Sequence, residues 1–428
     1  MSKIPALKTT APSISEGLSN QTFRECSLCA QSIQEAGNML PDAAYFIDLA
    51  VRYFDPEWIA RQHPKIIVLG TSLPDEVILA ISGTVPFWIV GGGREAAEPA
   101  DSYVPRDTDP VTRSILGYLL SAQHMAQEAL VIVPVISDGQ RKLAYLLQSL
   151  GWKIAVIDIP PEKNTPEAQR QYIRQITDLA ETVSAHHLSR FSRAALGRRI
   201  KRMDEIRQTV RAFTAVAQTR RAFLADPLRM LILNSFYMTD DPEDWHSHLT
   251  KLTNALAGQP ETPESGLPKI LLIGSPIYFP CYKIPFLLSL ADMEICGHID
   301  PSTWKFETAA PTDRDALSAL AKTQLENDCS GAYINNDALW EAARAHIERS
   351  HPDGVIWHVL KGQIEYDFEL LRLESRFEAL GLPVFRLETD YQYQDVEQLR
   401  IRIEAFGELL DAQRRGNSKR GRSFEKKN

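Results

Sequence analysis

The sequence lacks three features that would each mark a whole class of protein. No apolar run approaches the roughly 18 residues of a membrane-spanning helix, and the first twenty residues contain no apolar core of signal-peptide length. Basic residues do not predominate either, because 47 Lys and Arg face 55 Asp and Glu, for a net charge of −8. This balance argues against a surface that binds nucleic acid. We therefore expect a cytoplasmic protein with neither a membrane nor a nucleic acid as its partner.

Cysteine is scarce, with five residues at positions 26, 29, 281, 296 and 329. Five are too few for the disulfide scaffold of a small secreted protein. In a reducing compartment they serve as buried apolar residues or as metal ligands. Cys281 and Cys296 lie in apolar stretches, and we interpret both as core residues.

Two nucleotide-binding motifs are also missing. No G-x-x-x-x-G-K-[ST] phosphate loop occurs, and the glycines at 91–93 lack the spacing of a dinucleotide-binding fingerprint. The chain is therefore not expected to hydrolyse ATP itself.

What the sequence does contain is an ordinary globular composition, 44% hydrophobic and 24% charged, over 428 residues. Short apolar runs alternate with helical patterns in two separate stretches, which is typical of parallel α/β domains. The predicted strands lie at 66–69, 87–90, 129–136 and 154–159, and then at 269–274, 293–295, 354–360 and 384–387.

Residues 166–265 carry long helical patterns and almost no strand signal. The predicted fold is therefore α/β, with two Rossmann-like parallel-sheet domains at 21–165 and 266–412 joined by a helical segment at 166–265. We expect a flexible leader at 1–20 and a basic, disordered tail at 413–428.

The clearest single pattern is at residues 354–406. A buried strand is followed by the break Lys361-Gly362-Gln363, a helical pattern, a stop at Gly381-Leu382-Pro383 and a second strand, which together make one βαβ unit. Ligands of parallel sheets bind at the carboxyl ends of the strands. The predicted edges of a site are therefore the break at 361–363 and the residues Glu388-Thr389-Asp390.

The same stretch carries a family resemblance. Leu360-Lys361, Gly381-Leu382-Pro383, Glu388-Thr389-Asp390 and the helix Q-L-R-I-R-I-E-A-F at 398–406 follow one another in order. In these pieces the chain resembles the subunits of 2-hydroxyacyl-CoA dehydratases and benzoyl-CoA reductases, of the D-component type.

The resemblance implies an acyl-CoA thioester as substrate and anaerobic metabolism. It also implies a paralogous, cluster-bearing partner subunit and a separate ATP-dependent activator protein. The activator of this family delivers one electron, the thioester becomes a ketyl radical anion, and a hydroxyl group leaves; in the reductase branch an aromatic ring is reduced. A lyase or an oxidoreductase subunit is thus expected.

Thiolates from three regions of this family hold a [4Fe–4S] cluster, and the resemblance matches them to Ser137, Cys329 and Gln363. Only Cys329 is a thiolate ligand. Two arrangements stay open: Cys26 and Cys29, a C-x-x-C pair, join Cys329 in a divergent cluster site, or the partner subunit holds the cluster and this chain lines its pocket. We favour the second.

Three further residues are candidates for the site. Glu76 lies in a strand-to-helix turn that resembles the family's P-x-E element, where it would orient a substrate hydroxyl or carbonyl; alternatively it only meets the helix dipole. Gly92 and Arg94 would receive a phosphate or the thioester, with Arg94 as a bidentate anchor; alternatively they form a flexible turn.

We therefore assign catalytic roles to Glu76, Ser137 and Gln363, and cofactor binding to Cys329, Cys26, Cys29, Gly92 and Arg94, with Cys329 as the metal ligand. The predicted function is a subunit of an acyl-CoA dehydratase or reductase-like complex. The alternative is a non-catalytic family member that acts as a scaffold or binds acyl-CoA.

Overall fold

A computed structural model describes the backbone of residues 18–81, 83–307 and 315–425, and the side chains from residue 20 to residue 415 within these ranges. It contains two four-stranded sheets in which every neighbouring pair of strands is parallel. The predicted fold class, α/β with two parallel-sheet units, is confirmed. The predicted leader lies almost wholly outside the described residues.

All eight predicted strands form, and their ends lie at most four residues from the expected bounds. The strands of the first sheet are β1 (Ile66–Leu69), β2 (Phe87–Ile89), β3 (Leu130–Val135) and β4 (Lys153–Asp158). The strands of the second are β5 (Lys269–Gly274), β6 (Glu294–Ile299), β7 (Gly354–Leu360) and β8 (Val384–Thr389). The central strands β1, β3 and β7 are buried along their whole length, which explains their continuous apolar, β-branched sequences.

Both sheets have the same topology. The first has the order β2-β1-β3-β4 and the second β6-β5-β7-β8. In each sheet the second strand along the chain therefore lies on one side of the first strand, and the third and fourth strands lie on its other side. This reversal makes a crevice between the loops that follow β1 and β3, and another between the loops that follow β5 and β7. Such switch points are where open α/β sheets bind ligands.

Seventeen α-helices occupy the described residues. The helices around the first sheet are α1 (Leu18–Glu35), α2 (Ala44–Tyr53), α3 (Pro56–Ala60), α4 (Asp75–Leu79), α5 (Arg94–Ala97), α6 (Pro110–Ser121) and α7 (Asp138–Ser149). The helices between the sheets are α8 (Pro166–His187), α9 (Arg193–Thr219), α10 (Asp226–Asn234) and α11 (Pro242–Ala257). The helices around the second sheet are α12 (Lys283–Leu290), α13 (Trp304–Glu307), α14 (Ala316–Asn327), α15 (Asp337–Ser350), α16 (Glu365–Ala379) and α17 (Val396–Glu425).

Local sequence fixes where the helices between the sheets begin. The side chains of Thr165, Ser192 and Asp241 accept hydrogen bonds from backbone N–H groups of the first turns of α8, α9 and α11. Proline follows directly at the start of α8 and α11, where its missing N–H costs nothing. The domain boundaries drawn from the sequence stay predictions, although residues 166–257 do consist of these helices and short 3₁₀ turns.

The last helix differs from the expectation for the C-terminus. α17 continues to Glu425, so the segment that we predicted as a disordered tail from 413 is helical up to that residue. Its sequence is rich in Arg, Lys and Glu, which are good helix formers as well as solubilising residues. Composition alone therefore does not distinguish a disordered tail from a helix.

The outer edge of the second sheet is covered by side chains of the helical segment. On the edge strand β6, the backbone carbonyl of Ile295 accepts hydrogen bonds from Arg221 (3.0 Å) and Arg229 (2.7 Å), and its N–H donates to Asp226 (2.8 Å). The next carbonyl, of Cys296, accepts from Gln218 at 2.8 Å. The edge is thus paired within the chain, which protects it from pairing with another molecule.

Buried polar contacts join the two halves. Asp75, at the start of α4, forms an ion pair of 2.5 Å with Lys305 of α13, and both side chains are almost fully buried. Thr71, directly after β1, donates a hydrogen bond of 2.6 Å to the carbonyl of Pro301. The carboxyl end of the first sheet is therefore fixed against the loop that follows β6. No helix among the described residues has the length and apolarity to cross a membrane.

Candidate functional site

The crevices of the two sheets meet at Asp109, which lies at the start of α6. One of its carboxylate oxygens accepts a hydrogen bond from the N–H of Thr112 (3.0 Å) and caps that helix. The same oxygen lies 3.4 Å from the amide nitrogen of Gln363, in the loop after β7. Gly362 faces the same segment, since a β-carbon there would lie 3.2 Å from the Asp109 nitrogen.

Ser137 approaches Asp109 from the first sheet. Its hydroxyl accepts a hydrogen bond from the N–H of Gln140 (3.3 Å) and caps α7, directly after β3. A β-carbon at Gly139 would lie 3.1 Å from the other Asp109 carboxylate oxygen and 3.6 Å from the Ser137 hydroxyl. The structure thus brings Ser137 and Gln363, two of the three predicted positions, close to one carboxylate.

Cys329 belongs to the same region, but its thiol faces elsewhere. It lines a cavity of about 240 Å³ that also contacts His298 and Trp304, and its sulfur donates to the carbonyl of Asn327 at 3.4 Å. Burial raises the pKa of the thiol to about 12. The backbone of its loop does reach the crevice, since a β-carbon at Gly331 would lie 2.9 Å from the side chain of Glu365.

The C-x-x-C pair lies on α1, with Cys26 buried and Cys29 half-buried. Burial raises the pKa of both thiols, and Cys281 is among the charges that influence Cys29. In the described ranges, no three or more His, Cys, Asp and Glu side chains are grouped so as to hold a metal ion. Cys26, Cys29 and Cys329 therefore do not converge on one site.

These observations test the residues against a [4Fe–4S] cluster. A cluster needs several convergent thiolates, whereas the Ser137 hydroxyl caps α7, the Gln363 amide binds Asp109 and the Cys329 thiol faces a separate cavity. The residues of this chain do not fit the group.

Gly92 approaches another backbone rather than a ligand. A β-carbon at this position, where φ is +113°, would lie 2.3 Å from the carbonyl oxygen of Phe279 in the loop after β5. The atoms beside the missing β-carbon belong to the other half of the protein. The role of Gly92 in receiving a phosphate or a thioester stays a prediction.

Arg94 is held by side chains of α1 and α5. Its guanidinium pairs with Glu95 and lies 5.9 Å from the ring centre of Tyr393, and its backbone N–H donates to Glu25 at 3.1 Å. Glu25 also accepts from the N–H of Glu95 (3.0 Å) and so caps α5. Burial raises the pKa of Glu25 to about 7. The role of Arg94 as a phosphate anchor stays a prediction.

Glu76 is engaged in a buried ion pair. Its carboxylate lies 2.6 Å from the guanidinium of Arg207 on α9, and both side chains are at most 5% exposed. Arg207 also donates to the backbone carbonyl of Lys305 at 3.0 Å. Glu76 lies in the first turn of α4, as the alternative interpretation expected. Its contacts are those of a residue that joins the two halves, and its role toward a substrate stays a prediction.

Three residues of the site were missed at the level of sequence: Asp109, Glu365 and Tyr391. Burial raises the pKa of Glu365 to about 7, and the neighbouring Asp109 carboxylate adds to this shift. The sequence does contain signals for two of them. Asp109 precedes a proline at the start of a helical pattern, and Tyr391 follows the Glu388-Thr389-Asp390 strand end.

Two buried polar atoms of the region have no hydrogen-bond partner within the part of the chain that the structure describes: the Gln363 carbonyl oxygen and the hydroxyl of Tyr391. Tyr391 is 3% exposed. An unpaired buried polar group costs about 1–3 kcal/mol. The Tyr391 hydroxyl is thus a free donor and the Gln363 carbonyl oxygen a free acceptor for a ligand.

Comparison with known proteins finds one family and two curated relatives. The sequence profile of the family described as "2-hydroxyglutaryl-CoA dehydratase, D-component" matches residues 71–410. The chain is 23% identical, over 356 residues, to "Putative dehydratase subunit YjiM" of Escherichia coli (strain K12), covering 82% of this chain and 92% of that protein. It is 21% identical, over 340 residues, to the "(R)-phenyllactyl-CoA dehydratase beta subunit" of Clostridium sporogenes, covering 79% and 89%.

Proposed function

The chain belongs to the 2-hydroxyglutaryl-CoA dehydratase D-component family, and from this premise we propose that it is the acyl-CoA-binding, non-cluster subunit of a dehydratase complex. A beta subunit of a phenyllactyl-CoA dehydratase is among its relatives, which supports both the thioester and the multi-subunit assembly.

The observation that carries the proposal is the meeting of two switch-point crevices at Asp109. Gln363 lies 3.4 Å from this carboxylate on one side, and the Ser137 loop lies on the other. Each crevice is the usual ligand position of its own sheet. A molecule bound there contacts both halves, as a long thioester with an acyl end and a nucleotide end would.

The chain's own side chains have definite tasks in this proposal. The hydroxyl of Tyr391 donates a hydrogen bond to the thioester carbonyl, and the Gln363 carbonyl oxygen accepts one from the substrate's hydroxyl group. Glu365, with its pKa raised by burial to about 7, holds or releases a proton near neutral pH. Preformed donors of this kind stabilise charge that develops on a carbonyl oxygen.

The electron transfer that the family resemblance implies is assigned to other components. We place the cluster in a paralogous subunit and the ATP-dependent step in a separate activator, because the thiolates of this chain do not converge. No step of that chemistry passes through Ser137, Cys329 or Gln363.

The test is a calorimetric titration of the full-length chain with (R)-phenyllactyl-CoA and 2-hydroxyglutaryl-CoA, and with coenzyme A alone. We expect binding of at least one thioester, and about tenfold weaker binding by the Tyr391→Phe variant, since one hydrogen bond is worth about 1 kcal/mol or slightly more. Tyr145→Phe is the matched control, because Tyr145 is 75% exposed on α7.

Two results would contradict the proposal. One is the absence of binding by any thioester, and the other is equal binding by the Tyr391→Phe and Tyr145→Phe variants. The first result would favour the alternative function, a scaffold that organises the complex without touching the substrate. The resemblance matches Ser137 and Gln363 to thiolate positions of the family, and this match favours that alternative.

A further inference from the structure

The segment after β8 forms a turn around Tyr391. The strand ends at Thr389, and one carboxylate oxygen of Asp390 accepts a hydrogen bond of 2.7 Å from the backbone N–H of Gln392. Tyr391 therefore lies in the middle of an Asx turn, in which an aspartate side chain fixes the backbone two residues further on. We call residues 390–395 the tyrosine loop.

Lys283, the first residue of α12, binds the tyrosine loop on both sides of Tyr391. Its ammonium donates hydrogen bonds to the Gln392 carbonyl oxygen at 2.5 Å and to the Asp395 carboxylate at 2.9 Å. The same ammonium lies 3.8 Å from the carboxylate of Asp390. One cation thus meets acceptors that come before and after the tyrosine along the chain.

The ammonium of Lys283 is buried, whereas its partners are not. The Lys283 side chain is 2% exposed, and the side chains of Asp390 and Asp395 are each 31% exposed. A lysine ammonium gives up its hydration only where fixed oxygen acceptors replace the water. Within the described residues, these acceptors all belong to the tyrosine loop. If the loop moved away from α12, a buried charge would lose its partners, so the loop is fixed in place.

The position of the tyrosine loop is also defined relative to the rest of the candidate site. The backbone N–H of Lys361 donates a hydrogen bond of 2.8 Å to the carbonyl of Thr389, which joins the loop of Gln363 to the end of β8. Burial raises the pKa of Tyr391, and the Asp109 carboxylate is among the charges that add to this shift. The free tyrosine hydroxyl and the free Gln363 carbonyl oxygen are therefore carried by two segments that are bonded to each other.

We propose that Lys283 is a positioning residue of the candidate site, whose ammonium fixes the tyrosine loop so that the Tyr391 hydroxyl is already oriented toward the thioester carbonyl. The proposal rests on the proposed function, in which this hydroxyl binds the substrate. Lys283 itself does not touch the thioester. A donor that is held in place before binding costs no ordering when the ligand arrives, so the lysine strengthens binding through the tyrosine.

The experiment is a double-mutant cycle on the full-length chain. Calorimetric titration with (R)-phenyllactyl-CoA, and with 2-hydroxyglutaryl-CoA, compares the unchanged protein with Lys283→Met, Tyr391→Phe and the double variant. Methionine keeps an unbranched apolar side chain and removes the charge. The matched control is Lys269→Met, alone and with Tyr391→Phe, because Lys269 pairs with Glu264 at the surface and its side chain is 36% exposed. Thermal unfolding shows that each variant is folded at the temperature of the titration.

We expect Lys283→Met to weaken thioester binding about tenfold, as the loss of the tyrosine hydroxyl itself does. In the Tyr391→Phe background the same change should weaken binding by less than about twofold, because the hydroxyl that the lysine positions is already gone. Lys269→Met should leave binding unchanged in both backgrounds. A purely structural role of Lys283 would instead weaken binding by the same factor in both backgrounds.

A milder variant covers the case in which Lys283→Met is not folded. Asp395→Asn removes one carboxylate partner and keeps the ammonium, and asparagine can still cap α17, which begins at the next residue. This variant should weaken binding at least about twofold when Tyr391 is present and should have no effect in the Tyr391→Phe background. The Asp395→Asn cycle then decides by the same criteria.

The results separate the positioning role from the proposed function. If Tyr391→Phe weakens binding but Lys283→Met has no effect, or an equal effect in both backgrounds, the positioning role is overturned and the proposed function stands. If neither thioester binds, or if Tyr391→Phe binds as tightly as the unchanged protein, the proposed function and the positioning role are overturned together.

Discussion

A single missing β-carbon determines how closely the two halves approach each other. At Gly92, with φ at +113°, any side chain would place a carbon 2.3 Å from the Phe279 carbonyl oxygen. Both the backbone conformation and the contact distance require glycine. Backbone, unlike the end of a flexible side chain, cannot move aside cheaply.

We predict that Gly92→Ala destabilises the protein by about 3 kcal/mol or more, because strain at a positive φ adds to a clash between the two halves. Urea unfolding measures the change. Gly151→Ala is the matched control, since its φ is +91° and no atom lies near its missing β-carbon. Equal losses in the two variants would show that conformation alone matters and that the contact with Phe279 does not.

A second prediction concerns the buried carboxyl of Glu25, whose pKa is raised to about 7. A carboxyl whose pKa is higher in the folded than in the unfolded protein binds its proton more tightly when folded. Its contribution to stability is therefore present below about pH 4.5 and is lost as the pH rises through 7.

Replacing Glu25 by Gln should remove this loss. Between pH 5 and 7.5, the unfolding free energy of the unchanged protein should fall relative to that of Glu25→Gln, by at most about 1.4 kcal/mol per pH unit, the value for one proton. Denaturant unfolding at several pH values measures the two slopes. Parallel curves would mean that Glu25 titrates normally in the folded protein.

The sequence predicts where the site residues lie in the fold better than it predicts which residues they contact. Ser137 and Gln363 were placed correctly after strands, because strand ends are visible in apolar periodicity. The bond between Gln363 and Asp109 joins residues 254 positions apart, and nothing in local sequence encodes it. The direction of the Cys329 thiol was not predictable either, because it depends on tertiary packing rather than on the sequence of its loop.

At the level of elements, the helical segment protects an edge of the second sheet. Asp226 is central to this cover, since one carboxylate oxygen accepts from the Ile295 N–H and the other binds Arg229 at 2.5 Å. Its side chain is 10% exposed. A carboxylate in this position satisfies an edge-strand donor and two guanidinium groups at once.

Asp226→Ala should therefore cost about 2–4 kcal/mol, because it leaves a backbone donor and buried cations without their partner. The matched control is Glu264→Ala, which removes an 87% exposed partner of Lys269 and should cost at most about 0.5 kcal/mol. Unfolding curves measure both, and light scattering on warming reports association through the freed β6 edge. A cost near that of the control would contradict the edge-protection interpretation.

The strands were predictable from the sequence, but the contacts of the helical segment with the edge of the second sheet were not. Runs such as Ile66–Leu69 are wholly apolar because both faces of a parallel sheet are covered. By contrast, Arg221 and Arg229 look like ordinary solvated residues of a helix in the sequence. Only the fold reveals that they bind the Ile295 carbonyl.

At the scale of the whole molecule, buried ion pairs hold the two sheets in one arrangement. Glu76–Arg207 and Asp75–Lys305 link α4 of the first half to α9 and α13. Breaking one partner of a buried pair costs more than removing both, because the remaining charge stays desolvated.

We predict one cooperative thermal transition for the whole chain, with Arg207→Met lowering stability by about 3–5 kcal/mol and Glu76→Leu/Arg207→Met recovering most of that loss. Differential scanning calorimetry measures the number of transitions and the shifts. The double variant should still bind a thioester if Glu76 only joins the halves. Two separate transitions in the unchanged protein would contradict the prediction that the two halves unfold together. Loss of thioester binding by the folded double variant would show that Glu76 acts on the substrate.

The pairing of Asp75 with Lys305 also has a consequence for biosynthesis. The two residues are 230 positions apart, so at about 5–20 residues per second the ribosome needs roughly 10–50 s to make the cation after its anion. During that interval the carboxylate of Asp75, which is buried in the folded protein, is still exposed to water. The N-terminal half should accordingly mature only after translation has passed well into the second sheet.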